Sequence, residues 1–224
     1  MKIKQITILG IAIIAINTFI EAKTVNTYID TKTGQNTEQR QEENNLILVN
    51  KENPVSSEYK PENMVKCNIQ FLESSKEEEK YLQRDAAKSI EELFVKAKEE
   101  GIEFIATSAY RSYETQKGIF KKNVNTRGIK EANKYAAKPG KSEHQTGLAI
   151  DVTNPERWFD KSTKEAMWLA DNAHEFGFIL RFLEGKERIT GYNFEPWHIR
   201  YVGKEVAKEI YEQGITLEEY FQNK

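Results

Sequence analysis

Apolar residues fall into short blocks along the chain, and their spacing changes from block to block. The first runs from Ile6 to Ile20, interrupted only by Thr7, Gly10, Asn17 and Thr18, with Lys2 and Lys4 ahead of it. At about 15 residues it is short for a membrane span, which needs about 20. The charged lead and the small Ala22 predict a signal peptide over residues 1–22, with a retained N-terminal membrane anchor as the alternative, since Ile20 and Lys23 fit a cleavage site poorly. Residues 23–45 are rich in Thr, Asn, Gln and Glu and offer almost nothing to bury, so they predict a disordered polar spacer. From Leu46 the run LILVN predicts a short strand closed by Asn53-Pro54. Residues 46–224 are enough for one well-cored domain.

Within that domain the period alternates between helix and strand. Ala87, Ile90, Leu93, Phe94 and Ala97 share one helical face between Arg84 and Glu100, and Gly101 supplies the stop. The near-continuous apolar run IEFIATSAY then reads as a buried strand. Ser112 can cap a helix from Tyr113 to about Lys122, with Glu114 in its first turn. LAIDVT places Leu148, Ile150 and Val152 on one strand face and Ala149, Asp151 and Thr153 on the other. Ser162 and Glu165 have capping-box spacing before a helix lined by Met167, Ala170, Ala173 and Phe176 and stopped at Gly177. FGFIL and WHIRYV read as strands, and helices follow over Lys204–Gln213 and Thr216–Gln222. Helices and strands interleave without a repeating βαβ period, which predicts an α+β fold.

Charge narrows the function. With 33 Lys and Arg against 35 Asp and Glu, the net charge of −2 leaves no basic footprint, so no nucleic-acid partner is expected. The single cysteine, Cys67, excludes a disulfide scaffold and a Cys-rich zinc finger, and is expected as a buried small hydrophobe. Any histidine site must come from His144, His174 and His198. His174 lies three residues before the Gly177 stop, where the helix dipole alone accounts for it.

Three segments carry the candidate chemistry: SAYRSYETQ around Arg111, SEHQTGLAID from Ser142 to Asp151, and EPWHIRY from Glu195 to Tyr201. A loop histidine, His144, and a strand carboxylate, Asp151, can converge above a sheet. Pro196 breaks strand alternation, so Glu195 and His198 can face one cavity from different directions. Two imidazoles and one carboxylate are the ligand count of a catalytic zinc site with an open position for water, and Glu195 is then the candidate base. No HExxH motif is present. Spacing alone leaves open a surface Asp151, a packed His198 beside Trp197, and an Arg111 that only forms a salt bridge.

At these segments the sequence resembles the zinc D-alanyl-D-alanine carboxypeptidases of the VanY type and their relatives, the L,D-carboxypeptidases and VanX-like dipeptidases. Ser142, His144, Gly147, Ala149 and Asp151 meet the family's S-x-H-x-x-G-x-A-x-D pattern; Glu195 to His198 meet E-P-W-H; Tyr110, Arg111 and Ser112 meet Y-R-S. The similarity runs from about Leu46 to Gly203. It implies a single hedgehog/DD-peptidase-like α+β domain whose mainly antiparallel sheet carries the zinc. By the same resemblance His144, Asp151 and His198 bind one Zn2+, Glu195 is the general base and Arg111 is catalytic and contacts substrate. Gln116, Ser142 and Trp197 are further candidate substrate contacts. The implied activity is removal of the C-terminal D-alanine from peptidoglycan stem peptides by an exported, monomeric enzyme touching the membrane only through a possible anchor. The alternatives are an L,D-carboxypeptidase trimming tetrapeptides and a non-catalytic zinc-stabilised wall-binding module.

Overall fold

The computed structural model describes residues 45–224. The expected signal peptide or anchor and the spacer up to residue 44 lie outside the described residues. Asn45, assigned to the spacer by composition, belongs to the folded part: it is buried, and its carbonyl accepts a hydrogen bond from Arg200 at 3.0 Å.

Four short strands form the central sheet: β3 (Ile105–Ser108), β4 (Ala149–Thr153), β5 (Phe178–Leu180) and β6 (His198–Tyr201), in the order β3-β4-β6-β5 with every pair antiparallel. A separate two-stranded ribbon pairs β1 (Met64–Lys66) with β2 (Tyr81–Gln83). Helix α1 (Arg84–Glu99) follows β2 directly and buries Ala86, Ala87, Ile90, Leu93 and Ala97. These meet Leu148, Ile150 and Val152 of the β4 segment and Ile199 of β6 in the main core, with Cys67 at its edge. Full burial of Ile90 or Leu93 contributes about 1.5–3 kcal/mol each. One face of β4 and β6 is thereby committed to the core, and the other, with Ala149, Asp151, His198 and Arg200, is left for polar work.

The remaining helices are α2 (Tyr113–Tyr135), α3 (Lys164–Asn172), the single turn α4 (Glu187–Thr190), α5 (Lys204–Gln213) and α6 (Leu217–Gln222). The last two pack Ala207, Ile210, Leu217 and Tyr220 with Ile179 and Val202 into a second core, which Leu46 and Leu48 cover. The α+β fold class and the antiparallel sheet are as expected from sequence.

Four local expectations are corrected. LILVN forms no strand; its side chains are divided between the two cores and its backbone serves buried side chains. The helix from Tyr113 continues to Tyr135 with one break at Gly128, whose φ of 78° is left-handed. Ser162 is not a cap: its hydroxyl donates to Asp160, and Thr163 caps α3 by accepting from the Ala166 amide at 3.3 Å. That helix buries Glu165, Ala166 and Leu169 and leaves Met167 51% exposed. Its apolar residues fit two adjacent stripes, and Glu165 is drawn inward by a hydrogen bond from Asn154.

Candidate metal centre and active site

Sheet register explains how residues far apart in sequence meet. β4 and β6 pair so that Asp151 stands directly opposite His198, and cross-strand partners share a face. Between Ala106 and Ser108 the β3–β4 register shifts, which puts Ser108 opposite Asp151. Such a bulge re-aims a side chain; here the Ser108 hydroxyl accepts from Arg111 Nε at 2.7 Å.

His144 arrives from a 3₁₀ turn over Glu143–Thr146 that ends at Gly147, where φ is 68°. A Cβ there would sit 2.7 Å from Met64 Sδ, so glycine is demanded by both conformation and space. The Arg111 amide donates to the His144 carbonyl at 3.1 Å, tying the two motif loops together.

The ligand atoms offered by His144, Asp151 and His198 lie within 4.8 Å of one another. His144 Nε2 is 3.3 Å from Asp151 Oδ2, and His198 Nδ1 is 2.7 Å from Asp151 Oδ1. Each imidazole is held through its other nitrogen: His144 Nδ1 lies 2.6 Å from the Ala109 carbonyl, and His198 Nε2 lies 3.4 Å from Glu143 Oε2. Phe182 stacks on the His198 ring at 5.0 Å. Two nitrogens and one carboxylate, each oriented from behind and turned to one point, fit a zinc ion with an open coordination position.

The electrostatics belong to a buried site. Burial lowers the His144 pKa to about 4, helped by the nearby Arg111 charge. Burial also opposes protonation of His198, yet Asp151 and Glu143 outweigh it and raise that pKa to about 9. Asp151 is held well below the usual carboxylate range: burial works against this, and the two histidines overturn it. Glu195, outside β6 on the preceding loop, lines the same cavity and is pushed up to about 7, first by burial and then by the Asp151 charge.

All eight sequence candidates line this one cavity. Arg111 places Nη2 2.6 Å from Asp151 Oδ2. Gln116 is fully buried rather than solvated; its amide donates to the Ala137 carbonyl at 2.7 Å and its oxygen faces Arg111 Nη1 at 3.4 Å. Ser142 is buried beside the ligand turn, and half-buried Trp197 anchors its carbonyl on the Val152 amide. His174 is elsewhere, stacked on Tyr211 at 3.7 Å.

Two contributors were missed by sequence reasoning. Glu143 supports His198, and its only signal was its position beside His144 in the SEHQTG segment. Tyr192 lines the cavity, and its hydroxyl is buried without a hydrogen-bond partner among the described residues. Such a group costs about 1–3 kcal/mol until something pairs with it.

A family model described as VanY, D-alanyl-D-alanine carboxypeptidase, matches residues 79–204, which include every candidate site residue. The chain is 43% identical over 185 residues to YodJ of Bacillus subtilis, covering 80% of this chain and 68% of that protein. It is 37% identical to a D-alanyl-D-alanine carboxypeptidase of Enterococcus faecalis, covering 80% and 66%. Among solved structures, the LD-carboxypeptidase LdcB superposes with a TM-score of 0.74 at 41% identity, covering 88% of this chain and 94% of that one. The VanB-type D,D-pentapeptidase VanY, solved as a mutant with Zn(II), gives 0.68 at 34% identity, covering 80% and 99%. VanYB with D-alanine-D-alanine gives 0.67 at 35% identity, covering 80% and 97%. With the motifs, the fold and the two-histidine, one-aspartate centre all in agreement, the chain belongs to the VanY D-alanyl-D-alanine carboxypeptidase family.

Proposed function

We propose that the protein is a zinc-dependent carboxypeptidase that hydrolyses the C-terminal D-alanine from peptidoglycan stem peptides. The observation that carries this reading is the meeting of His144, Asp151 and His198 beside Glu195 on one cavity, in a chain of this family. Zinc would be held by His144 Nε2, the Asp151 carboxylate and His198 Nδ1. When bound it supplies a polarising charge for the scissile carbonyl and lowers the pKa of water toward about 7.

The other steps belong to side chains. Glu195, tuned close to neutrality, takes a proton from the attacking water and delivers it to the leaving amine. Arg111, held in its fork by Ser108 and Gln116, meets the carbonyl oxygen as negative charge develops on it. Ser142 and Trp197 form cavity wall against the peptide.

A second reading is supported by the likeness to LdcB: an L,D-carboxypeptidase acting on the tetrapeptide. The likeness to VanYB with D-alanine-D-alanine supports the first. Mass spectrometry of synthetic penta- and tetrapeptide stems after incubation with the protein separates them. Loss of one D-alanine from the pentapeptide is expected; an intact pentapeptide beside a trimmed tetrapeptide gives the second reading. Internal cleavage of a C-terminally amidated peptide would remove both. The apolar run Ile6–Ile20 supports export, so that the monomeric domain meets its substrate at the outer face of the membrane.

A further inference from the structure

We propose that Glu143 is the positioning residue of His198, and that helix α6 and the segment Asn45–Asn50 hold it in place through a closed relay of buried charges. The proposal rests on His198 being a metal ligand.

An imidazole that presents Nδ1 to a metal carries its proton on Nε2 and needs an acceptor there. His198 turns Nδ1 toward the ligand cluster, and the acceptor behind Nε2 is Glu143 Oε2 at 3.4 Å. One 3₁₀ turn therefore provides His144 as a ligand and, one residue earlier, the support of the opposite ligand.

The other oxygen of Glu143 is fully engaged. Oε1 accepts from Arg181 Nε at 2.7 Å and from Arg200 Nη1 at 2.9 Å, both arginines being 0% exposed. Arg181 places its two terminal nitrogens on Glu218 of α6 at 2.8 and 2.6 Å, a bidentate pair. Glu218 also accepts from Asn50 Nδ2 at 3.0 Å. Arg200 donates its last nitrogen to the Asn45 and Ile47 carbonyls at 3.0 and 2.8 Å. Two carboxylates face two guanidinium groups, and the segment Asn45–Asn50 and helix α6 are both drawn onto the same unit. Asn45, Ile47, Asn50 and Glu218 lie outside residues 79–204 matched by the family model.

Stability gives a weak reason for such a unit, because well-packed apolar residues replace buried ion pairs at little cost or with gain. Its placement behind a ligand gives a better one: a buried anion fixes the His198 tautomer and ring orientation.

The test is on the full-length protein. Glu143→Gln keeps an oxygen for the two arginines but turns an N–H toward His198 Nε2, favouring the wrong tautomer. Zinc Kd, measured by chelator competition, should rise about 10–100-fold with little change in KM at saturating zinc. Glu218→Gln, which leaves Glu143 intact, should weaken zinc binding less. An unchanged Kd in Glu143→Gln overturns the proposal; an unchanged Kd in Glu218→Gln alone overturns the role of α6. His198→Ala is the control. If it keeps zinc, the ligand reading has failed; if it loses zinc while Glu143→Gln does not, only the positioning role has. Should the Glu143 variant not fold, histidine nitrogen NMR of the zinc-loaded wild type decides. His198 must be metallated at Nδ1 and protonated at Nε2, and the reverse pattern overturns the proposal.

Discussion

Two clusters of buried charge lie on opposite sides of His198, built from the same kinds of residue and doing opposite things. In front, Arg111 and Asp151 have side chains 15% exposed, and Glu195 is pushed up to about 7. Behind, Glu143, Arg181, Glu218 and Arg200 are at most 8% exposed, and each carboxylate meets a guanidinium within 2.9 Å. The rear cluster is balanced and internally satisfied. The front cluster carries two histidines turned onto one carboxylate, Asp151, and a second carboxyl, Glu195, close to its titration point. Burial alone therefore does not mark a catalytic group; a polar group left unsatisfied beside a cavity does.

The sharpest way to break this comparison is to unbalance the rear. Arg181→Ala removes one cation and leaves Glu218 buried with only Asn50, and Glu143 with only Arg200 and His198, which costs about 3–5 kcal/mol. Denaturant unfolding should show that loss. A variant as stable as the wild type would mean that water or rearrangement satisfies the carboxylates, and that the rear is no better paired than the front.

The front should respond in rate, not in stability. Glu195→Gln keeps shape but cannot accept a proton. Its kcat should fall about 100-fold, or about 2.7 kcal/mol of barrier, while zinc content and the unfolding midpoint stay at wild-type values. Wild-type turnover with normal zinc would remove Glu195 as the base. Arg111→Lys is the next step down. It keeps the charge but loses the planar fork that engages Ser108, Gln116 and Asp151 together. About a tenfold fall in kcat/KM is expected, and an unchanged value would leave Arg111 a structural partner of Asp151 only.

The same contrast governs what the sequence disclosed. The front was legible through the family motifs around Arg111, Gly147 and Pro196; spacing alone supplied the ligand count and left Asp151, His198 and Arg111 open to structural readings. Helix α1 was legible because one strong apolar stripe admits one orientation. α3 was misread because two adjacent stripes were available and a single buried hydrogen bond at Glu165 chose between them. LILVN reads as a strand, yet among the described residues no strand edge pairs with it; Arg200 takes the Ile47 carbonyl instead. The rear cluster was invisible for a related reason. Glu143, Arg181, Arg200 and Glu218 look like ordinary surface charges until sheet register and α6 bring them together. A charged residue has no periodicity that tells burial from exposure.

The smallest expected effect comes from pH, and it separates the clusters without any mutation. Between pH 8 and 6 the front should titrate and the rear should not. Glu195 must be ionised to act as a base, so kcat/KM should rise with pH through its pKa. Burial sets that value at about 7 without the metal, and a bound dication draws it lower, so the loss at pH 6 should be less than tenfold. Behind His198, burial works to raise the Glu143 pKa, but Arg181 and Arg200 hold it far below its ordinary 4.5. A carboxyl depressed in the folded state contributes stability that is present above its unfolded value and lost only as pH falls through the folded one. The rear contribution is therefore constant over this window. Protons also compete with zinc for His144 and His198 at lower pH, so the profile is measured at saturating zinc, with the unfolding midpoint followed in the same buffers. The expected outcome is an acidic limb in kcat/KM that disappears from the residual activity of Glu195→Gln, over an unfolding midpoint that does not fall with the rate: the rear adds no slope, and Glu195, raised above its unfolded value, adds stability toward low pH. A flat rate profile would detach Glu195 from proton transfer. A midpoint that falls together with the rate would show that the two clusters titrate as one, and that their separation by His198 is not a functional one.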